Sequence, residues 1–524
     1  MPNKSAKILP IIGLEVHIEL DTVAKMFCSC PNSPDDKPNS NICPICLAYP
    51  GALPTLNKHA IELAIKFALA TKCDIASKTS WDRKNYFYPD LPKGYQITQQ
   101  FNPIAFSGTL PGDSHIRIKQ VHLEEDAGKT VNFESLADLS QVHKTNGIDF
   151  NRSGAPLLEI VTEPDFETAQ QAVSAARELQ RLVKYLGISK AILQKGHMRF
   201  EPNVNLAIVQ NDTLYITPIV EVKNLNSFRN LQDAIEFEIN RQFDEFKLAP
   251  EKYEVDISEL QASSKKSKSS NPLSLKDRSI YIGASKFPKI NRGFDADKCV
   301  TIFQRSKESA RDYRFFAEPD LPVLDISASW VSEIEKTLTE LPASRCARFV
   351  NQFDIPEKSA IFLTSSKKLA DLFEFSISSI ESAKVSANLI LGSLAETAKN
   401  LQKSITDLKI SSRDLAELAD LVLSNKISPN SAQKIAVEIS QTGKTAEQIA
   451  CELDLFLQSD QNLVESWVLQ ALAENKDAAE TAKSPGKKQL KARNFLLGQV
   501  MKLSKSQAPA DIAGELLDKL LNLD

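Results

Sequence analysis

The sharpest chemical signal in the chain is a set of four cysteines, Cys28-Ser-Cys30 and, twelve residues on, Cys43-Pro-Ile-Cys46. Two close pairs of thiolates on tight turns suit tetrahedral zinc, which exchanges its hydration shell for soft sulfur ligands. Four sulfurs close the coordination shell, so zinc at Cys28, Cys30, Cys43 and Cys46 is expected to pin the hairpin of residues 28–46 rather than to hydrolyse anything. The alternative is four free, partly buried thiols.

A second set is made of acids on separate β-like segments. Read as a strand, Gly13 to Leu20 turns Glu15, His17 and Glu19 to one face and Leu14, Val16, Ile18 and Leu20 to the other. Glu124 and its neighbours His122, Glu125 and Asp126 close another such run, Glu159 interrupts the apolar stretch Leu157 to Val161, and Arg199, Glu201, Asn203 and Asn205 alternate with Phe200, Val204 and Leu206. An acid in an apolar strand is costly unless it is paired or holds a metal. Taken singly, each reads as a solvated sheet face or a salt bridge. Converging, carboxylates with an imidazole suit Mg²⁺, a hard cation that meets protein through one or two carboxylates while it holds nucleotide phosphates.

Trp81 to Tyr95 interleaves Arg83, Lys84 and Lys93 with Tyr86, Phe87 and Tyr88, so it could stack a base or a terminal adenosine while cations hold phosphate; a core-anchoring loop is the competing reading. Gly128-Lys129-Thr130 imitates the end of a phosphate-binding loop, but the motif's first glycine would fall at Leu123 and three acids precede it. Residues 481–510 carry Lys483, Lys487, Lys488, Lys491, Arg493, Lys502 and Lys505 without an acid, a local polyanion surface or a solvated helix face.

The elements that position these groups change character along the chain. Up to about residue 325, short alternating runs mix with two helical patterns, Asn57 to Thr71 and Glu167 to Leu186, the latter followed by Gly187 as a C-terminal cap; beyond it almost everything is helical, including Ser412 to Leu423 and Ser431 to Ile439. The expected class is α+β, then all-α. At 524 residues two or three domains are expected: 1–325, 326–445 and 446–524, with the Ser/Lys-rich stretch 262–276 as a mobile surface insertion. With 42% apolar and 25% charged residues the composition is globular, and a net charge of −4 gives no general attraction for a polyanion, so nucleic-acid contact requires a local basic surface. The chain has no apolar run long enough to span a membrane and no secretory pattern at Met1 to Lys7, and its eight cysteines do not read as a disulfide framework; a cytoplasmic chain is expected.

Together these segments resemble the GatB family, the B subunit of glutamyl/aspartyl-tRNA amidotransferases, over nearly the whole chain. The resemblance is carried by IGLEVHIEL (12–20), NICPICLAYPGALPTLN (41–57), DRKNYFYPDLPKGYQITQ (82–99), HLEEDAGK (122–129), NRSGAPLLEIVTEPD (151–165), EVKNLNSFRN (221–230), RDYRFFAEPDLP (311–322) and FLLGQVMK (495–502). It implies a cradle-shaped catalytic domain, a helical domain and a YqeY-like tail. It also implies a heterotrimer with an amidase (the A subunit) and a small third member (the C subunit), which acts on tRNA(Gln) or tRNA(Asn) mischarged with Glu or Asp. ATP and Mg²⁺ are the implied co-reactants, with His17, Glu124 and Glu159 as Mg²⁺ ligands and Glu15 and Glu201 lining a neighbouring metal or nucleotide position. Lys84, Tyr88, Arg152, Lys223 and Arg229 are implied as phosphate or acceptor-end contacts, and Lys487, Lys488, Lys491, Arg493 and Lys502 as contacts to the tRNA body. The family pattern has Cys-Asp where this chain has Phe200-Glu201, so the Glu201 carboxylate reaches one methylene farther. An archaeal-type relative carries an extra domain for which this chain has no room, which favours the bacterial or organellar type.

Chemically, a side-chain carboxylate accepts ammonia only after activation, and phosphorylation by ATP provides a leaving group. The competing expectation is a tRNA-binding scaffold without catalysis, in which the acids are structural.

Overall fold

In the computed structural model the described residues are 6–110, 113–132, 146–211, 213–223, 225–256, 278, 281–282, 285–306, 313–458, 460–484, 488–504 and 507–521. The stretch 262–276 and Lys487 lie outside them. The chain forms two compact units, residues 1–341 and 342–524.

Eleven strands of the first unit join in one sheet: β1 (Lys7–Glu19), β2 (Asp74–Ile75), β3 (Ala105–Leu110), β4 (Asp113–Glu125), β5 (Pro156–Thr162), β6 (Met198–Gln210), β7 (Thr213–Ile216), β8 (Val220–Lys223), β9 (Glu254–Val255), β10 (Ile290–Asp295) and β11 (Val300–Ser306). The order is β11-β10-β8-β6-β1-β5-β4-β3-β2, with β7 also pairing β6 and β9 pairing β7. Only β8 and β10 run parallel among these pairs, so the sheet is mixed, as the α+β expectation required.

The long strand β1 sits at the centre, between β5 and β6, and its alternation decides the two faces. Leu14, Val16 and Ile18 are buried on one face with Leu158 and Ile160 of β5 and Phe200 and Val204 of β6. Each such side chain taken from water contributes about 1.5–3 kcal/mol, which fixes the register, because a slip of one residue would expose the whole row. Three helices contribute the rest of this layer: α1 (Lys58–Ala70) against β3 and β4, α2 (Ala169–Tyr185) against α3, and α3 (Phe228–Leu248) against β6. Their ends follow local chemistry. Asn57 accepts from Ala60 N at the start of α1, Thr168 and Gln171 form a capping box on α2, and Gly187, at φ +68°, takes the left-handed turn just past its C-cap Leu186.

Over the opposite, polar face hangs a small sheet, in which Asp82–Asn85 pairs with Tyr95–Thr98 and with Phe316–Ala317. Lys93 Nζ lies 2.6 Å from the buried Glu125 carboxylate, which also accepts from Ile97 N, and Arg83 grips Glu318 through two hydrogen bonds. The first unit continues past the composition change at about 325: Leu324–Asp325 pairs with Lys78–Thr79, and α4 (Ala328–Glu335) packs on α1, with the Lys58 ammonium 5.7 Å from the Trp330 ring centre.

The second unit is helical in its regular elements. Helix Ser412–Leu423 has the predicted limits, and Pro429–Thr442 begins with Pro429 at its first turn, capped by Ser428, and ends at Gly443. The last four helices, between Gln461 and Leu521, share a core built on Val464, Val468, Leu496, Val500 and Leu517. No helix of the described residues is long and apolar enough to cross a membrane.

Candidate functional site

Strand pairing alone brings most of the predicted acids onto one row. His17 lies opposite Glu159 on one side and Arg199 on the other, Glu15 lies opposite Glu201, and Glu124 lies opposite Leu157. The side chains of four adjacent strands therefore meet on the polar face, although their segments are up to about 190 residues apart in sequence. With the overhanging hairpin they line a cleft of about 210 Å³ that includes Glu15, His17, Lys84, Glu124, Glu159, Glu201 and Lys223.

Two groups of possible ligands stand in this cleft. In the first, His17 Nε2 is 3.4 Å from Glu124 Oε1 and 3.8 Å from Glu159 Oε2, and one donor atom from each of the three lies within 4.8 Å of the others. Burial holds the His17 imidazole below its ordinary value against the pull of Glu159, so a neutral ring offers its lone pair. Burial and the Glu159 charge push Glu124 up to about 8, and its other oxygen accepts from Thr98 Oγ1. Two carboxylates that cannot comfortably ionise together, plus a neutral imidazole, fit a hard divalent cation by donor chemistry and spacing. Behind Glu159 stands the buried His122, with Nδ1 3.9 Å away and its ring held down to about 4 by burial.

The second group is Glu15, Glu201 and Glu221, with the same mutual spacing limit. It differs in its company. Lys223 Nζ lies 2.5 Å from Glu201 and 2.8 Å from Glu221; Lys289 Nζ lies 2.6 Å from Glu221 and 3.2 Å from Glu15. Asn203 also donates to Glu15 at 2.9 Å. Burial opposes both ammoniums, yet the carboxylates hold them above the ordinary lysine value, Glu201 and Glu221 for Lys223 and Glu15 and Glu221 for Lys289.

Of the predicted phosphate or acceptor-end contacts, Lys84 and Lys223 line the cleft. Burial works against the Lys84 charge, but Glu124 and Glu159 keep it above its ordinary value, and the rings of Tyr86 and Tyr313 flank it at 5.8 and 5.3 Å. Tyr88 is exposed and meets Tyr86 edge-on. Arg152 stands behind the cleft, donating to the carbonyls of Ala127 and Gly128 and lying 3.5 Å from Asp126, whose carboxylate Arg199 also holds at 2.9 Å. Arg229 is not among the cleft-lining residues; it is 89% exposed at the start of α3, beside Asp233. Gly128-Lys129-Thr130 leads into a short strand pairing with Asn146–Asp149 rather than into a helix, so it is no phosphate loop.

Residues that sequence reasoning did not single out are Glu221, Lys289 and Tyr313, whereas Tyr86 and Asp126 were legible as members of the aromatic and acidic runs. Glu221 was findable, since Val220-Glu-Val-Lys223 is another apolar strand broken by an acid. Lys289 and Tyr313 carry no local signal, because pairing across the sheet and hairpin is what brings them in.

The four cysteine sulfurs lie within 4.8 Å of one another, and Cys43 and Cys46 Sγ are 3.8 Å apart, a spacing that tetrahedral zinc fits. Cys46 is pulled down to about 5, first by the Cys28 thiol that donates to it, while Cys30 is pushed up to about 11 by burial and Cys43. In the second unit Lys491 and Lys502 are exposed on helix Gln489–Leu503 and Lys488 at its start, but Arg493 is turned onto Asp518 through hydrogen bonds of 2.5 and 2.6 Å.

Known families match both parts of the chain. The GatB/GatE catalytic domain matches residues 10–332 and the GatB domain residues 371–521. The chain is 38% identical over 519 residues to the B subunit of the aspartyl/glutamyl-tRNA(Asn/Gln) amidotransferase from Thermotoga sp. (strain RQ2), covering 98% of each protein. The proteins of the same name from Elusimicrobium minutum (38% over 515 residues, 98% of this chain and 99% of the relative) and Caldicellulosiruptor saccharolyticus (37% over 515 residues, 97% and 98%) are similar in the same way.

Proposed function

Because the chain belongs to the GatB family, we propose that its polar cleft activates a carboxylate with ATP, within a tRNA-dependent amidotransferase. The substrate is the side-chain carboxylate of Glu or Asp esterified to tRNA(Gln) or tRNA(Asn). One carboxylate oxygen attacks the γ-phosphorus of ATP and ADP leaves; ammonia then attacks the acyl carbon, the C–O bond to phosphate breaks, and the amide, inorganic phosphate and a proton result. The observation that carries this reading is the meeting of His17, Glu124 and Glu159 from three neighbouring strands with their donor atoms within 4.8 Å.

The charge of the cleft supports it. Its lining holds six acids, Glu15, Glu124, Asp126, Glu159, Glu201 and Glu221, against three cations, Lys84, Arg199 and Lys223. A bare triphosphate would be repelled there, so a divalent ion has to join the two. His17, Glu124 and Glu159 would hold Mg²⁺, which when bound neutralises charge on the transferring phosphoryl group. Lys84, kept charged and boxed by Tyr86 and Tyr313, is placed to meet a phosphate oxygen, while Lys223 faces the same space from β8. Tyr88, exposed beside Tyr86, offers a ring to a terminal base.

The remaining assignments follow from the same family. The chain is the B subunit of a cytoplasmic heterotrimer in which the amidase, the A subunit, releases ammonia from glutamine; the C subunit is its small third member. The catalytic domain of this chain extends past residue 325 through helix Ala328–Glu335 to residue 341, residues 342–445 are its helical domain and 446–524 its tRNA-gripping tail, in which Lys488, Lys491 and Lys502 are free to meet phosphates. Zinc at the four cysteines is structural. In a scaffold without catalysis, the assembled complex would release no phosphate from labelled ATP when mischarged tRNA is added. The proposed function predicts release that depends on Mg²⁺ and disappears in Glu124→Gln; no release, or release unaltered by that substitution, would contradict it.

A further inference from the structure

The two carboxylate groups of the cleft are equipped for different cations. Among the described residues no lysine or arginine lies within ion-pair distance of Glu124 or Glu159. Around Glu15, Glu201 and Glu221, by contrast, Lys223 and Lys289 contribute two ammoniums to three carboxylates, with contacts of 2.5–3.2 Å. Lys289 is delivered by topology: it immediately precedes β10, whose parallel pairing sets Ile290 opposite Val220 and Asn291 opposite Glu221.

We infer that Lys289 takes the place of a second divalent ion, so that the cleft works with a single divalent ion and a built-in ammonium. This rests on reading His17, Glu124 and Glu159 as the divalent site. The physical reason is competition for the same lone pairs. An ammonium donates along directions that a metal would use, and a divalent ion among those oxygens would stand only a few ångströms from two fixed positive charges. Mg²⁺ also demands near-octahedral geometry at short distances, which carboxylates already tied to two lysines and an asparagine cannot supply without breaking those bonds. Lys289 rather than Lys223 is the closing group, because among the described residues it bridges Glu15 to Glu221 from outside the acid-bearing strands, whereas Lys223 lies on the same strand as Glu221.

The test is a Mn²⁺ titration of the full-length, zinc-loaded chain followed by electron paramagnetic resonance. The expected count is one tightly held Mn²⁺ in the unmodified chain and in Lys289→Arg, and a second in Lys289→Met whose spectrum is broadened by coupling to the first. Equal counts in Lys289→Met and the unmodified chain would overturn the inference. So would two coupled ions in the unmodified chain, a result that decides the matter even if Lys289→Met fails to fold. Failure of the underlying reading is seen separately, as a first ion whose binding His17→Ala leaves unchanged.

Discussion

Side by side on one sheet face, the His17/Glu124/Glu159 and Glu15/Glu201/Glu221 groups have the same donor spacing and opposite electrostatics. The first combines a neutral imidazole with two crowded carboxylates, one of them pushed up to about 8. The second is saturated by Lys223 and Lys289. Clustered acids therefore do not by themselves make a metal site. What distinguishes one is an unmet demand for positive charge, and β1 shows that two residues of displacement along a strand suffice to separate the cases.

The largest contrast is expected from neutralising one carboxylate in each group. Glu124→Gln should lower ATP-dependent amide formation on the order of a thousandfold, the scale on which a group stabilising developing charge is lost, while circular dichroism and tRNA affinity stay unchanged. Glu201→Gln should cost roughly tenfold, about one charge-assisted hydrogen bond to Lys223. Equal effects would erase the distinction.

A pH titration sharpens it next. Glu124 stands raised from 4.5 to about 8 in the metal-free protein, first by burial and then by Glu159. The neutral carboxyl suits the folded state, so its contribution to stability is fully present below pH 4.5 and is lost as pH rises through about 8. A divalent ion requires the ionised form, so Mn²⁺ affinity should climb over the same window and level off above it. Affinity flat from about pH 6 to 9 would show that Glu124 is not a ligand.

The cysteine hairpin extends the comparison to soft donors. Cys46→Ser should release zinc and cost on the order of 3 kcal/mol of stability, read as a drop in thermal midpoint, with little change in kcat below that temperature. A loss of kcat without a change in midpoint would place the cluster in the chemistry instead.

The smallest effects belong to the second unit. Lys491→Ala or Lys502→Ala should each lower the slope of log affinity for tRNA against log salt by about 0.7–0.9. Arg493→Ala should leave the slope alone and weaken helix packing, because its guanidinium is committed to Asp518. A reversed pattern would make Arg493 the phosphate contact.

How far the sequence carried depends on the range of the interactions involved. Alternation along β1 exposed both its buried row and Glu15 and His17, because period-two patterning is local; Glu124, Glu159 and the cysteine pairs were legible for the same reason. Glu201 was visible, but the ion pairs of its group were not: Lys223, legible only as a phosphate contact, turns to Glu201 and Glu221, and Lys289 reaches Glu15 and Glu221 through a parallel pairing whose partner lies some 70 residues away. The helix Ala328–Glu335 belongs to the first unit because Trp330 packs against α1, a contact invisible to composition. Likewise nothing local distinguishes Arg493 from Lys491, since Asp518 lies in another helix.

Phosphoryl transfer to the amino-acid carboxylate can be followed directly by oxygen. With mischarged tRNA labelled with ¹⁸O in the side-chain carboxylate, the assembled amidotransferase should release inorganic phosphate carrying one ¹⁸O for each amide formed, and Glu124→Gln should release none. Amide formation accompanied by unlabelled phosphate would contradict carboxylate activation in the cleft.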